Sequence, residues 1–102
     1  MTMRAPVTIL LRAGHSHLHP GCVVVAAGMP AQLATPHPAV IEFADGAGAT
    51  ATLAQREPDA LELDVDAYVT GKRHTVAARR WRLHPVDATR TAWRVARRLA
   101  AT

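Results

Sequence analysis

The sequence predicts a mainly β fold, a small antiparallel β-barrel or sandwich of about six strands whose C-terminal segment forms either a short helix or a closing strand. Three observations predict it. Gly and Pro punctuate the chain at Gly14, Pro20-Gly21, Gly28 to Pro30, Pro36 to Pro38, Asp45 to Gly48, Pro58 and Thr70-Gly71. The apolar runs between these breaks span about five to ten residues, a length that suits strands better than helices. Finally, Ala60 to Val69 alternates Leu61, Leu63, Val65, Ala67 and Val69 with Glu62, Asp64, Asp66 and Tyr68. That is a period of two, with one dry face and one acidic face.

The elements follow in order. Val7 to Arg12 and Cys22 to Ala27 read as two strands, the second so continuously apolar that burial on both faces is expected. Ala39 to Phe43 and Thr50 to Gln55 flank Asp45-Gly46-Ala47-Gly48, the signature of a hairpin. After the acidic strand, Thr70-Gly71 turns the chain into Thr75 to Leu83. One antiparallel register sets Leu61 opposite Leu83 and Leu63 opposite Trp81 on the dry face. The same register sets Glu62 opposite Arg82 and Asp64 opposite Arg80 on the other face. Each such pair contributes roughly 0.2–1 kcal/mol, and a one-residue slip would set acids against the apolar row. Val65 opposite Arg79 is the one mismatch, which a bulge would relieve. The last segment supports two readings. Asp87 can cap a helix with Ala88, Ala92, Val95 and Leu99 on one face and Arg90, Arg94, Arg97 and Arg98 on the other. Alternatively, Trp93, Val95 and Leu99 mark a closing strand, with Pro85 to Thr91 as the preceding loop.

The chain has 102 residues, the size of one domain spanning residues 1–102. A hydrophobic content of 49% is enough for a core and argues against intrinsic disorder. Ala and Val dominate that content, with one Phe, one Tyr and two Trp, so a modest core anchored on Trp81 and Trp93 is expected. The single cysteine excludes an internal disulfide and leaves the redox compartment open. The opening Met1 to Pro6 carries one charge, Val7 to Leu11 is too short for a signal h-region, and no stretch has the length of a membrane span. A soluble, cytoplasmic protein is the expectation.

The net charge of +4 conceals a polarity along the chain. Residues 1–71 carry three arginines against seven carboxylates, whereas residues 72–102 carry nine basic side chains against Asp87 alone. Such an asymmetry marks either a surface for an acidic partner or two segments that neutralise each other in the fold.

Candidate functional residues fall into four groups. His15, His17 and His19 alternate within eight residues of Cys22, and on a strand the three imidazoles would share one face. Imidazole and thiolate are ligands for zinc, copper and nickel, so these four residues, with His37 as a further donor, form a candidate site for a divalent transition metal. Gly14 and Pro20-Gly21 bracket the stretch and favour a loop. The string is similar to the H-x-H-x-H motif of the histidine-triad nucleotide hydrolases over five residues. Ser16 breaks that family's apolar alternation and Pro20-Gly21 replaces the apolar residues expected next, so the resemblance carries no function. Cys22 opens an apolar run, which favours a structural thiol over a nucleophile.

Arg79-Arg80-Trp81-Arg82 interleaves an aromatic with cations, as single-strand nucleic-acid binders do. The predicted register uses Arg80 and Arg82 in cross-strand pairs. Arg79, Arg90, Arg94, Arg97 and Arg98 then remain as surplus charge for a partner. Glu62, Asp64 and Asp66 form a carboxylate row that the salt-bridged ladder accounts for. No Gly-rich phosphate loop, nucleophile elbow or paired-cysteine motif is present in the sequence.

The function expected from these features is a small non-enzymatic binding or assembly module. Its basic C-terminal end would contact an acidic protein, a nucleic acid or a second copy of the chain, a homodimer being favoured by an exposed sheet edge. The alternatives are metal binding through the histidine cluster and single-stranded nucleic-acid binding.

Overall fold

The computed structural model describes residues 5–11, 18–30, 33, 36–86 and 91–99. Among them the chain forms nine strands and no helix. These are β1 (Val7–Leu11), β2 (Val23–Ala27), β3 (His37–Glu42), β4 (Gly48–Glu57), β5 (Ala60–Val65), β6 (Tyr68–Val69), β7 (Thr75–Val76), β8 (Arg79–Pro85) and β9 (Ala92–Leu99). Seven of them close into a barrel with neighbour order β1-β2-β9-β8-β5-β4-β3, while β6 and β7 form a separate two-stranded hairpin. The expected barrel-or-sandwich is therefore a barrel, one strand larger than predicted. Its pairings are antiparallel apart from β1 with β3, which run parallel.

The seventh strand is the ambiguous C-terminal segment. β9 pairs with β2 through Val24 and Trp93, and with β8 through Leu83 and Val95. Ala and Arg favour a helix locally, but only by roughly a few tenths of a kcal/mol per residue. A helix would leave the backbone N–H and C=O groups of two strands without partners, and that cost is larger. Closure also removes the open barrel edge on which self-association was expected; only the β6–β7 hairpin keeps edges among the described strands.

The β5–β8 ladder has the predicted register throughout: Leu61 with Leu83, Glu62 with Arg82, Leu63 with Trp81, Asp64 with Arg80 and Val65 with Arg79. Val65 and Arg79 face each other directly and no bulge separates them. The predicted strand 60–69 is broken instead just beyond that rung. Asp66 donates its N–H to the Thr50 carbonyl (3.0 Å) and its carboxylate accepts the Thr50 hydroxyl, which draws the chain toward β4. The same register resumes at Tyr68 with Val76 and Val69 with Thr75, so β6–β7 is the continuation of the β5–β8 hairpin, detached from the barrel wall. β2 is buried on one face and partly exposed on the other, not buried on both. A closed single-layer barrel has one interior, so Val24 and Ala26 fill it while Val23 and Val25 lie outside.

The interior is aliphatic, with Ile9, Ile41, Leu53, Leu63 and Leu83 among its most buried side chains, and Trp81 and Trp93 are both buried as expected. The β3–β4 hairpin turns at Asp45-Gly46, where Gly46 takes φ 88°. No helix among the described residues is long and apolar enough to cross a membrane.

Strand direction gives the barrel two distinct ends. The upper end gathers Leu11, the segment from Leu18 to Cys22, the turn 43–47, the β6–β7 hairpin and the last residues of β9. The lower end holds the start of β3, the turn at Pro58-Asp59 and the start of β9.

Candidate functional site

His15 and His17 lie outside the described residues, as does Arg90. His19 and Cys22 sit at the upper end, and the Cys22 N–H donates to the His19 carbonyl (3.2 Å). Their side chains diverge in environment. The His19 ring sits near the surface, with Nδ1 donating to the Pro20 carbonyl at 3.1 Å. Cys22 is 1% exposed in the core, and burial pushes its thiol above its ordinary pKa. His37 opens β3 at the lower end, across the length of the barrel from His19 and Cys22, so the fold does not bring it to them. Its ring is buried, with Nε2 donating to the Ala5 carbonyl (3.2 Å) and Nδ1 enclosed without a hydrogen bond. That bond ties the segment before β1 to β3, a structural use of the histidine. Among the described residues, no group of three His, Cys, Asp or Glu side chains is placed to hold a metal ion.

The carboxylate row is divided among separate partners. Asp64 pairs with Arg80 at 3.8 Å, as the register predicts. Glu62, although opposite Arg82 in the ladder, makes its ion pair with Arg56 from β4 on its other side, at 3.2 Å. Arg56 sits diagonally across the β4–β5 ladder, where β4 carries an irregularity between Gln55 and Glu57 that the sequence pattern did not signal. Arg82 is thereby left without an ion pair among the described residues, and its Nε is enclosed with no acceptor.

The next rung outward compounds this. A bulge in β9 at Ala96 shifts the phase of the strand, so Val95 faces Leu83 in the core while Arg97 stands directly opposite Arg82 on the outer face. Arg94, opposite His84, continues the same outer row of β9, and Arg80 the row of β8. Like charges directly across a ladder are destabilising. The outer face of β8–β9 thus concentrates Arg80, Arg82, Arg94 and Arg97, and among the described residues the one ion pair that any of them makes is Asp64 with Arg80. Arg98, opposite Trp81, is exposed at the upper end. Trp81 itself packs inside against Leu63, so it offers no stacking surface to the arginines around it.

A second feature occupies the upper end. The β6–β7 hairpin is fixed to the turn 43–47 by two contacts. The Tyr68 ring stacks on Phe43, with centroids 4.6 Å apart and planes 14° apart. The Asp45 carboxylate accepts the N–H of Ala47 and the N–H of Gly71, both at 2.9 Å. Those two donors hold the Asp45 carboxyl below its ordinary pKa. A Cβ on residue 71 would lie 2.9 Å from the Asp45 carbonyl oxygen, so the close approach requires glycine. Beneath the hairpin is a cavity of about 190 Å³ lined by Leu18, Val65, Tyr68, Val76, Trp81 and Arg79. Burial raises the pKa of the Tyr68 phenol, and the nearby Arg79 charge acts in the opposite sense. Of these residues, sequence reasoning singled out Arg79 and Trp81. The Val65–Arg79 mismatch was the signal for the rest.

No protein family matches the chain, and comparison with curated proteins and with solved structures finds no match. The fold and the sites define a small closed β-barrel with one strongly basic strand pair and one roofed end.

Proposed function

We propose that the protein is a binding or assembly module whose outer β8–β9 face docks on an acidic protein surface. The observation that carries this reading is the Arg82–Arg97 rung, a like-charge pair directly across an antiparallel ladder, flanked by Arg80 and Arg94. The acid across from Arg82 on its other side, Glu62, makes its ion pair with Arg56, and a partner carboxylate would relieve the repulsion of that rung. Guanidinium groups side by side suit carboxylates through bidentate hydrogen bonds. Protein is favoured over single-stranded nucleic acid because Phe43, Trp81 and Trp93 are buried and Tyr68 is stacked on Phe43, so the arginine face has no described aromatic on which a base would stack.

The test is titration of a fluorescent polyglutamate peptide and a single-stranded oligonucleotide of equal charge at low ionic strength. The expected result is saturable peptide binding that weakens with added salt and is lost in Arg82→Gln/Arg97→Gln. Tighter binding of the oligonucleotide, or peptide binding unchanged in the double variant, would overturn the proposal.

A further inference from the structure

The predicted interior row of the β5–β8 hairpin ends on a charge. Leu61, Leu83, Leu63, Trp81 and Val65 all face inward, and the next position of that row is Arg79, which is exposed at the rim of the upper end. A buried cation would be costly, so the apolar column has to stop at this exposed residue. The column does stop there. Beyond the Val65–Arg79 rung the ladder breaks, β6–β7 leaves the wall, and the space it leaves is the cavity of about 190 Å³. Among the described residues, Arg79 is the one charged side chain lining that cavity and it makes no ion pair.

From this geometry we infer that the roofed end of the barrel is a binding site for a small carboxylate carrying a single ring. The size follows from the volume, since an apolar cavity of about 150 Å³ holds a benzene molecule. The space here therefore takes one ring and a short acid-bearing arm. The walls supply the apolar contact, with Trp81 and Val65 below, Leu18 at the side, and Tyr68 and Val76 above. Arg79 supplies the charge complement at the rim, through a guanidinium that is matched to a carboxylate. The roof is already in place before any ligand arrives, because Phe43 stacking and the Asp45–Gly71 hydrogen bond fix the hairpin. A pre-formed site loses little entropy on binding. Apolar sides with one convergent polar group are the usual make-up of a small-molecule site.

This site rests on observations separate from the outer arginine face, and its test is separate too. Phenylacetate is titrated into the full chain and followed by the Trp81 indole and Tyr68 ring resonances, with phenylacetamide as the neutral isostere. The expected result is saturable movement of both resonances by phenylacetate, with phenylacetamide weaker by about tenfold, the usual worth of a charged hydrogen bond. Arg79→Gln, at an exposed position that leaves the core intact, is expected to weaken phenylacetate to the level of the amide. Arg56→Gln, at the lower end, is expected to leave it unchanged. Ala77→Phe, on the exposed rim, is expected to weaken both compounds together by narrowing the mouth. Equal binding of acid and amide, Arg79→Gln indistinguishable from the parent, or shifts that spare Trp81 and Tyr68 would each overturn the site.

Discussion

Strand β8 has two neighbours, and its two ladders treat charge in opposite ways. Toward β5 the outer rungs set acid against base, and the inner rungs Leu61–Leu83 and Leu63–Trp81 set apolar against apolar. Toward β9 the outer rung sets Arg82 against Arg97, and a bulge is needed to restore the inner row. The β5 side is self-sufficient: its pattern selects its own register and satisfies Asp64 and Arg80 within the chain. The β9 side is held by backbone closure and by Trp93 and Val95 in the core, while its outer charges oppose one another. The difference separates residues that specify the fold from residues the fold merely tolerates. Tolerated charge is where a partner has most to offer.

The largest effect should come from the inner row of the β5 side. Trp81→Ala removes the biggest side chain facing Leu63 and is expected to cost about 3–5 kcal/mol in denaturant unfolding, the range for emptying an aromatic core position. A loss of less than about 1 kcal/mol, the scale of a surface substitution, would mean that Trp81 does not anchor the barrel.

Gly71→Ala comes next. The added Cβ meets the Asp45 backbone and cannot be relieved by a rotamer change, so an overpacking cost of about 1–3 kcal/mol is expected, confined to the roof. The signature is loss of the Phe43–Tyr68 ring contact in the NMR spectrum with the barrel amides in place. Retention of that contact would show that the hairpin is not fixed through Gly71.

The β9 side predicts a gain. Arg97→Glu turns the like-charge rung into an opposite pair and is expected to stabilise the protein by about 0.2–1 kcal/mol, most at low salt, while polyglutamate binding falls. Loss of stability would mean that Arg82 and Arg97 are not apposed. Pairwise cycles sharpen the contrast further. Asp64 with Arg80 should couple weakly, at the low end of about 0.2–1 kcal/mol, since both are partly exposed at 3.8 Å. Glu62 should couple to Arg56, and to Arg82 within error of zero.

These rungs also show what was legible in the sequence. The β5–β8 register could be read because both faces vote for it: Leu63 with Trp81 inside and Asp64 with Arg80 outside exclude every slip. The β3–β4 hairpin was equally plain, because Asp45-Gly46 names the turn. β9 was not, because Ala96 shifts the phase in mid-strand, and Ala and Arg side chains favour a helix when no neighbour is in view. Glu62 faces Arg82 as the register predicts, yet its ion pair is with Arg56, because that register speaks for only one neighbour of β5. A strand inside a sheet has two, and β4 supplied the better-placed arginine. The Val65–Arg79 mismatch was visible from the outset as a fault in the pattern. Reading it as a bulge preserved the strand; the structure preserves the rung and ends the strand instead. Of the candidate metal ligands, His15 and His17 lie outside the described residues, and His37 lies at the far end from Cys22 because β2 and β3 begin at opposite ends of the barrel.

The smallest effect is a titration at the roof, and its sign follows from the hydrogen bonds. Two backbone N–H donors stabilise the charged form of Asp45, so its pKa in the folded protein lies below the 3.8 of an unperturbed aspartate. A group depressed in this way stabilises the folded roof at pH values above the unfolded pKa, and that contribution disappears as the pH falls through the folded pKa. At neutral pH the anchor is complete; it loosens only in acid below the ordinary carboxylate range. The amide protons of Ala47 and Gly71 should therefore shift together with one midpoint below 3.8. Asp45→Asn should flatten both curves, because a neutral amide does not titrate there. Phenylacetamide, which carries no titrating group, should lose affinity across the same pH range as the hairpin that roofs the site comes away, whereas phenylacetate weakens already where its own carboxylate is protonated. A midpoint at or above 3.8, or amides that move independently, would show that Asp45 does not join the turn to the hairpin. The roof would then be a strand pair resting on Phe43 alone.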